Sequence, residues 1–324
     1  MAYINTVLGP VHPDQMGITA MHEHVMWGPP GWQYDPDWWW SFTKTFEKCN
    51  HDLTDFRQLG GMTFVDCSGI GLGRDLDLYV TLARSSRINL VACTGFGADS
   101  GIPGYFRVKD IDYHEALFLR ELTQGMGHTN IKAGFIKVGN TSRNQMTDLE
   151  ILTYRAAARA AKKTGCCVIT HGITAARQQF DILTSEGLDP SRIVISHCDA
   201  AYCLDFERDK ELARKGAYVA YDHIGIEAWS PTPDHMRDEV RVEMVKAMLD
   251  AGYRDRLLIS CDASGHGLGW YKMKHKFGKN DTPLHTVGHL LRYFVPKMRQ
   301  AGIDEDTIRH LLVENPKQIL PIQS

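Results

Sequence analysis

No run of about 18 apolar residues occurs in this 324-residue chain, so nothing in it reads as a membrane span. There is no excess of positive charge either. A net charge of −3 and a pI near 6.6 exclude the basic footprint of a nucleic-acid surface. The 8 cysteines include no CxxC pair, which removes the commonest zinc-ribbon and redox motifs. Six of them (Cys67, Cys93, Cys166, Cys167, Cys198 and Cys261) fall in or beside apolar runs and are expected to be reduced core residues. The opening stretch MAYINTVLGPVHPDQMG has neither a basic segment nor a continuous apolar one. A secretory leader is therefore not expected, and with reduced thiols a cytoplasmic location is. Internal repeats, low-complexity tracts and the GxGxxG of a dinucleotide site are also missing.

What the chain does have is alternation. Eight β-like runs cover Gly17–Val25, Met62–Ser68, Ile88–Thr94, Gly134–Val138, Cys166–His171, Arg192–Cys198, Ala217–Ile224 and Arg256–Asp262. Amphipathic stretches lie between them, among them Asp148–Lys163, His235–Ala251 and Leu284–Gln300. Strand–helix alternation at this count predicts one (β/α)8 TIM barrel over residues 1–324 rather than an open doubly wound sheet. Two long segments interrupt it. Trp27–Asn50 carries Trp27, Trp32 and the triplet Trp38, Trp39 and Trp40; Ala263–Pro283 is rich in glycine and lysine and contains Trp270. They follow the first and eighth runs, neighbours in a closed barrel, and would either shape a substrate pocket or pack on themselves or another subunit.

The runs end in chemistry-bearing residues. ITAMHEHV offers His22 and His24, GFIKVG Lys137, CCVITHG His171, RIVISHC His197 and LLISCDA Asp262. Strand ends of a parallel barrel converge on one rim, where the active site of that architecture lies. A strand turns both imidazoles of an HxH pair to one face, and neutral imidazoles so placed are natural ligands for a divalent metal. His171, His197 and Asp262 on the same rim strengthen that reading, toward a two-metal site. Lys137 follows GFI and precedes Val138, so its ammonium would meet a desolvation cost. Two readings stay open for it: a salt-bridged structural lysine, paired for example with Asp262 or Asp66, or a neutral amine that adds carbon dioxide and bridges two metals as a carbamate.

At these residues the chain resembles the phosphotriesterase family of the amidohydrolase superfamily. That family has an HxH on strand 1, a carboxylated lysine on strand 4, histidines on strands 5 and 6 and an aspartate on strand 8. All six positions occur here in order, and SGIGLGRD, INLVACTG and AGYRDRLLIS are similar to its lactonase branch. The resemblance implies that His22, His24 and Asp262 hold a buried metal and His171 and His197 a more exposed one. An N6-carboxylated Lys137 and a hydroxide would bridge the two. It further implies that the bridging hydroxide attacks the substrate and that Asp262 accepts its proton. Zinc suits these donors, and Mn, Co or Fe fits the same set.

The substrate is less legible. Where the lactonase branch has a tyrosine in GTGxY, this chain has Gly97 in CTGFG, and its DRYG arginine is replaced by His223 in DHIG. A carboxylic ester, a lactone above all, is the expected substrate; phosphotriesters and N-acyl amides are the rivals on the same metals. A non-catalytic ligand-binding barrel would have no use for an activated water. His223 is a candidate substrate contact, and Trp27, Gly97 and Trp270 are candidate pocket walls. His266 and Lys272 could meet an anionic group or belong to a solvated loop. Cys198 and Cys261 should turn away from the site. The partners expected are a small-molecule substrate and a second copy of the chain, as a homodimer.

Overall fold

All eight apolar runs fold as parallel strands, preceded by a short antiparallel hairpin, β1 (Ile4–Thr6) and β2 (Gly9–Val11). The structure, a computed structural model, describes residues 2–36, 41–141, 145–226, 236–267 and 285–322. Strands β3 (Ile18–Trp27), β4 (Gly61–Asp66) and β5 (Asn89–Val91) pair in that order, and β5 runs on through Ala92 into β6 (Cys93–Phe96). From β6 the ladder continues through β7 (Phe135–Val138), β8 (Val168–Ile169), β9 (Ile193–Ile195), β10 (Tyr218–Tyr221) and β11 (Leu257–Ile259). Past β11 the chain reaches β12 (Ser264–Gly267), which pairs with β3. Between β11 and β12, Asp262 N donates to His22 O (2.9 Å) and His24 N to Ala263 O (2.9 Å). Those bonds join the last strand to the first and close the expected (β/α)8 barrel.

Period two explains how the strands fill it. Val65, Val91, Phe135, Ile169, Val194, Ala220 and Leu258 share one core cluster inside the ring. Phe64, Leu90, Ile136, Val168, Ile195, Val219 and Ile259 belong to the other, against the helices. All eight cysteines are unpaired, seven of them buried, in keeping with their reading as core residues. Cys198 and Cys261 lie in the outer cluster, turned from the barrel axis as alternation requires.

The helix Asp148–Thr164 realises the expected Asp148–Lys163 almost residue for residue. Thr147 and Glu150 form a reciprocal capping box, and Gly165 ends the helix at φ 73°. The other two helical expectations are shorter in fact. His235–Ala251 is helical over Asp238–Asp250, and His235 is outside the described residues. Of Leu284–Gln300, Leu284 is outside them too; the rest holds a π-turn at Leu290–Phe294 and an α-helix at Val295–Gln300. Pro296 is the cause, because it has no N–H for the normal helical bond and its ring crowds the carbonyl one turn back, at Arg292. A second π-turn, His310–Glu314, stands before Pro316 in the same way. No helix among the described residues is long and apolar enough to cross a membrane.

His285 ties the segment before that π-turn to the barrel rim, its Nε2 lying 2.9 Å from Ile224 O. Burial pushes this imidazole down from 6.5 to about 4. A folded pKa below the unfolded one means that the unfolded chain binds the extra proton as pH falls. Stability from neutral His285 is therefore complete above about pH 6.5 and is lost progressively toward pH 4. We expect His285→Gln to be less stable at pH 7.5 yet to lose about 1–2 kcal/mol less between pH 7 and 5 than the native chain. Urea midpoints at the two pH values check this, and equal losses would refute it.

Candidate metal centre

Two local departures from regular strand geometry bring the candidate ligands inward. Against Phe64 and Asp66 of β4, the pairing of β3 slips between Ala20 and Glu23. The slip is a β-bulge, which re-aims side chains beyond it. Met21 therefore packs in the inner cluster while His22 and His24 both reach the rim chemistry. His197 lies three residues beyond inward-facing Val194, out of phase for a regular strand. Its left-handed backbone (φ 61°) breaks the alternation and turns the ring inward; Asp262 is also left-handed, at φ 50°.

Glu23, between the two histidines, holds the rim together from behind. Its carboxylate accepts from Ser260 Oγ (2.7 Å), Cys261 N (2.9 Å) and Ala263 N (2.8 Å). Burial pushes this carboxyl up to about 8. Across the barrel, Gly95 (φ 100°) lets β6 close onto the strand that carries Lys137. A Cβ there would lie 2.0 Å from Lys137 O, so only glycine fits.

Asp262 Oδ1 is 3.1 Å from His24 Nε2 and 3.7 Å from His22 Nε2. Lys137 Nζ is 2.9 Å from His22 Nε2 and donates to Thr170 O at 2.7 Å. His197 Nε2 and His171 Nδ1 are 2.7 Å apart. His22, His24, Lys137, His171, His197 and Asp262 thus meet in one place. Only His171 among them is exposed. Lys137 makes no ion pair with Asp262 or Asp66. Asp66 is taken up by Val25 N, Ser68 N and Tyr79 OH, which leaves the buried amine facing an imidazole and a carbonyl.

The outer side of each ring is also fixed. Asp222, fully buried, takes His22 Nδ1 on Oδ2 (2.6 Å) and both Nδ1 (2.8 Å) and the backbone N of His197 on Oδ1. Ser68 Oγ lies 2.9 Å from His24 Nδ1 and donates to Met26 O. With Nδ1 engaged, each of these three imidazoles presents Nε2 to the centre, the arrangement typical of metal-ligating histidines. Burial, reinforced by the Lys137 charge, holds His22 down to about 3, so it is a neutral donor near neutral pH. The donor atoms of His22, His24 and Asp262 lie within 4.8 Å of one another, as do those of His197, His223 and Asp262. Convergent imidazoles and a carboxylate fit divalent metals.

His223 stacks on His197 (centroids 4.4 Å apart, 13° between planes) with Nε2 3.6 Å from Asp262 Oδ2. Burial alone would lower its pKa, but Asp262, Asp199 and Asp222 push it up to about 9. Gly97 is buried after β6, and a Cβ there would come within 2.9 Å of Leu72 Cδ1. Trp27, half-buried, ends β3 beside Gly267. Trp270, Lys272 and the Trp38–Trp40 triplet lie outside the described residues. No motif in the sequence marks Asp222 for a role at the centre. Its signal was parity, since Tyr218 and Ala220 face inward and Asp222 continues that face.

The profile of the Phosphotriesterase family matches residues 2–320. A phosphotriesterase homology protein of Mycobacterium tuberculosis is 29% identical over 335 residues, covering 100% of this chain and 99% of its own length. An aryldialkylphosphatase of Saccharolobus solfataricus is 28% identical, covering 95% and 96%. An N-acetyltaurine hydrolase of Rattus norvegicus is 30% identical, covering 98% and 97%. Matched in this way from end to end, with a metal-competent donor set at its rim, the chain belongs to the phosphotriesterase family of metal-dependent hydrolases.

Proposed function

We propose that residues 1–324 act as a single barrel domain that hydrolyses a carboxylic acyl bond, with a lactone as the leading substrate. His22, His24 and Asp262 would hold one divalent ion and His171 and His197 a second. Lys137 would join them after its amine adds to carbon dioxide and releases a proton, which leaves an anionic carbamate. Zinc suits these donors best. Bound there, the ions supply an activated water and polarise the scissile carbonyl.

The observation that carries the acyl reading is the two-sided placement of Asp262. One oxygen faces His24, and the other lies 3.6 Å from His223. A carboxylate so placed can take a proton on one side and give it up on the other, next to an imidazole. Alkoxide and amine leaving groups need that proton; the aryloxide of an activated phosphotriester leaves without it. Trp27, Gly97, His223 and Trp270 would shape the pocket, with the chain working as a cytoplasmic homodimer on a small molecule. An amide is the second reading, favoured by full-length similarity to an N-acetyltaurine hydrolase.

Zinc-loaded protein assayed against lactones, aryl esters, N-acyl amino acids, N-acyl aminosulfonates and aryl phosphotriesters separates these readings. Lactone turnover at least about tenfold above the others in kcat/KM, or roughly 1.4 kcal/mol, is the expected result. Rapid amide cleavage with no lactone turnover would transfer the assignment to the second reading.

A further inference from the structure

Behind the metal centre lies a buried group of charges that the reaction itself does not use. Arg241, in the helix Asp238–Asp250, is among the largest fully buried side chains, at 1% exposure. A guanidinium is left in a protein interior only where its donors are matched. Its Nε donates to Asp199 Oδ2 at 2.8 Å, and Nη1 donates to Met236 O and lies 3.7 Å from Asp238 Oδ1. Asp199 and Asp238 are themselves completely buried.

Both carboxylates also accept from one stretch of backbone. Asp199 accepts from Asp222 N (3.1 Å) and His223 N (3.0 Å), and Asp238 accepts from Gly225 N (2.8 Å). Asp238 Oδ2 also lies 2.6 Å from His289 Nε2, and the His289 ring closes over Gly225, where a Cβ would come within 2.6 Å of it. The turn after β10 is thus hung from two acids that share one cation. That turn carries Asp222, and Asp222 is the acceptor for the Nδ1 atoms of both His22 and His197.

We infer that Arg241 is a positioning residue for the metal centre: through Asp199 and Asp238 it fixes Asp222, which sets the tautomer and aim of two ligand imidazoles. Arg241 touches neither ring. Its guanidinium is the cation shared by the two buried carboxylates that hold the turn, so its influence reaches the centre through backbone hydrogen bonds. The inference rests on the metal-centre reading but not on any choice of substrate.

The test uses metal-free full-length chain labelled with 15N-histidine, and then Zn2+ alone as the probe. In the native protein the nitrogen shifts of His22 and His197 should report Nδ1–H tautomers. Arg241→Met is expected to mix the tautomers at both rings and to weaken Zn2+ binding about 10- to 100-fold, the range seen when ligand-orienting partners are lost. Arg241→Lys keeps the charge without the planar fork and should fall between. If Arg241→Met does not fold, Arg241→Lys decides alone. In Arg241→Ala, added guanidinium ion should restore part of the Zn2+ affinity. Native tautomers and native affinity in a folded Arg241→Met or Arg241→Lys would overturn the inference. Nδ1–H tautomers that mix on Arg241 substitution, in a native protein that binds no Zn2+, would instead sink the metal-centre reading while leaving the positioning role intact.

Discussion

Lys137→Ala is expected to lower hydrolysis of the best substrate on the order of 10³-fold or more, about 4 kcal/mol of transition-state stabilisation. The reason is geometric. Lys137 reaches the centre from β7 with its amine 2.9 Å from His22 and no carboxylate beside it, so the only anion it can contribute is one built on the amine itself. Bound metal should fall from roughly two ions per chain to one or fewer, since a two-metal site needs its bridge. Propionate or another short carboxylic acid should return part of both rate and metal, because it supplies the missing carboxylate. Metal analysis and rate measurements on one preparation are sufficient. Full rate with both ions retained would make Lys137 a structural amine and end the carbamate assignment.

Asp222→Ala should act as strongly on metal affinity without removing a ligand. It deletes the acceptor for His22 Nδ1 at 2.6 Å, for His197 Nδ1 at 2.8 Å and for the His197 backbone N–H. Losing one such orienting partner costs about 10- to 100-fold in metal affinity, so serving two rings predicts a combined loss on the order of 10²- to 10⁴-fold. Asp222→Asn keeps an oxygen for one ring only and should fall between. Zn2+ competition titrations read the affinity, and thermal melting of the metal-free proteins separates this effect from unfolding. Native affinity in a folded Asp222→Ala would show that the rings are oriented by packing alone.

The readable part of this chain was what local pattern controls. Eight apolar runs gave eight strands, and the polar residues ending five of them gave the rim, because a parallel barrel turns strand ends to one side. The bulge before His22 and the left-handed turn at His197 left the prediction of convergence unharmed, although regular alternation places neither ring where it is. What was not legible is set by long-range partners. Asp222 meets His22 across 200 residues of chain, and Arg241 meets Asp199 across 42. Each side chain, taken in its own segment, looks like an ordinary polar residue near a helix or strand end. The substrate is harder still, because it depends on how side chains crowd a cavity. Leu72 fills the space beside Gly97, and no spacing rule in CTGFG announces it.

Asp262 has a further consequence through its backbone. At φ 50° it occupies a region that costs a side-chain-bearing residue about 1 kcal/mol and costs glycine nothing. Its carboxylate is drawn out of bulk water too, but His22, His223 and His24 outweigh that and hold its pKa well below the usual carboxylate range. Asp262→Gly would remove the backbone cost, but with it those favourable contacts and the acid of the proposed reaction. Heat resistance therefore cannot report on this position, where backbone strain and side-chain contacts oppose each other, and a thermostable variant of this chain has to be sought with turnover as a second criterion.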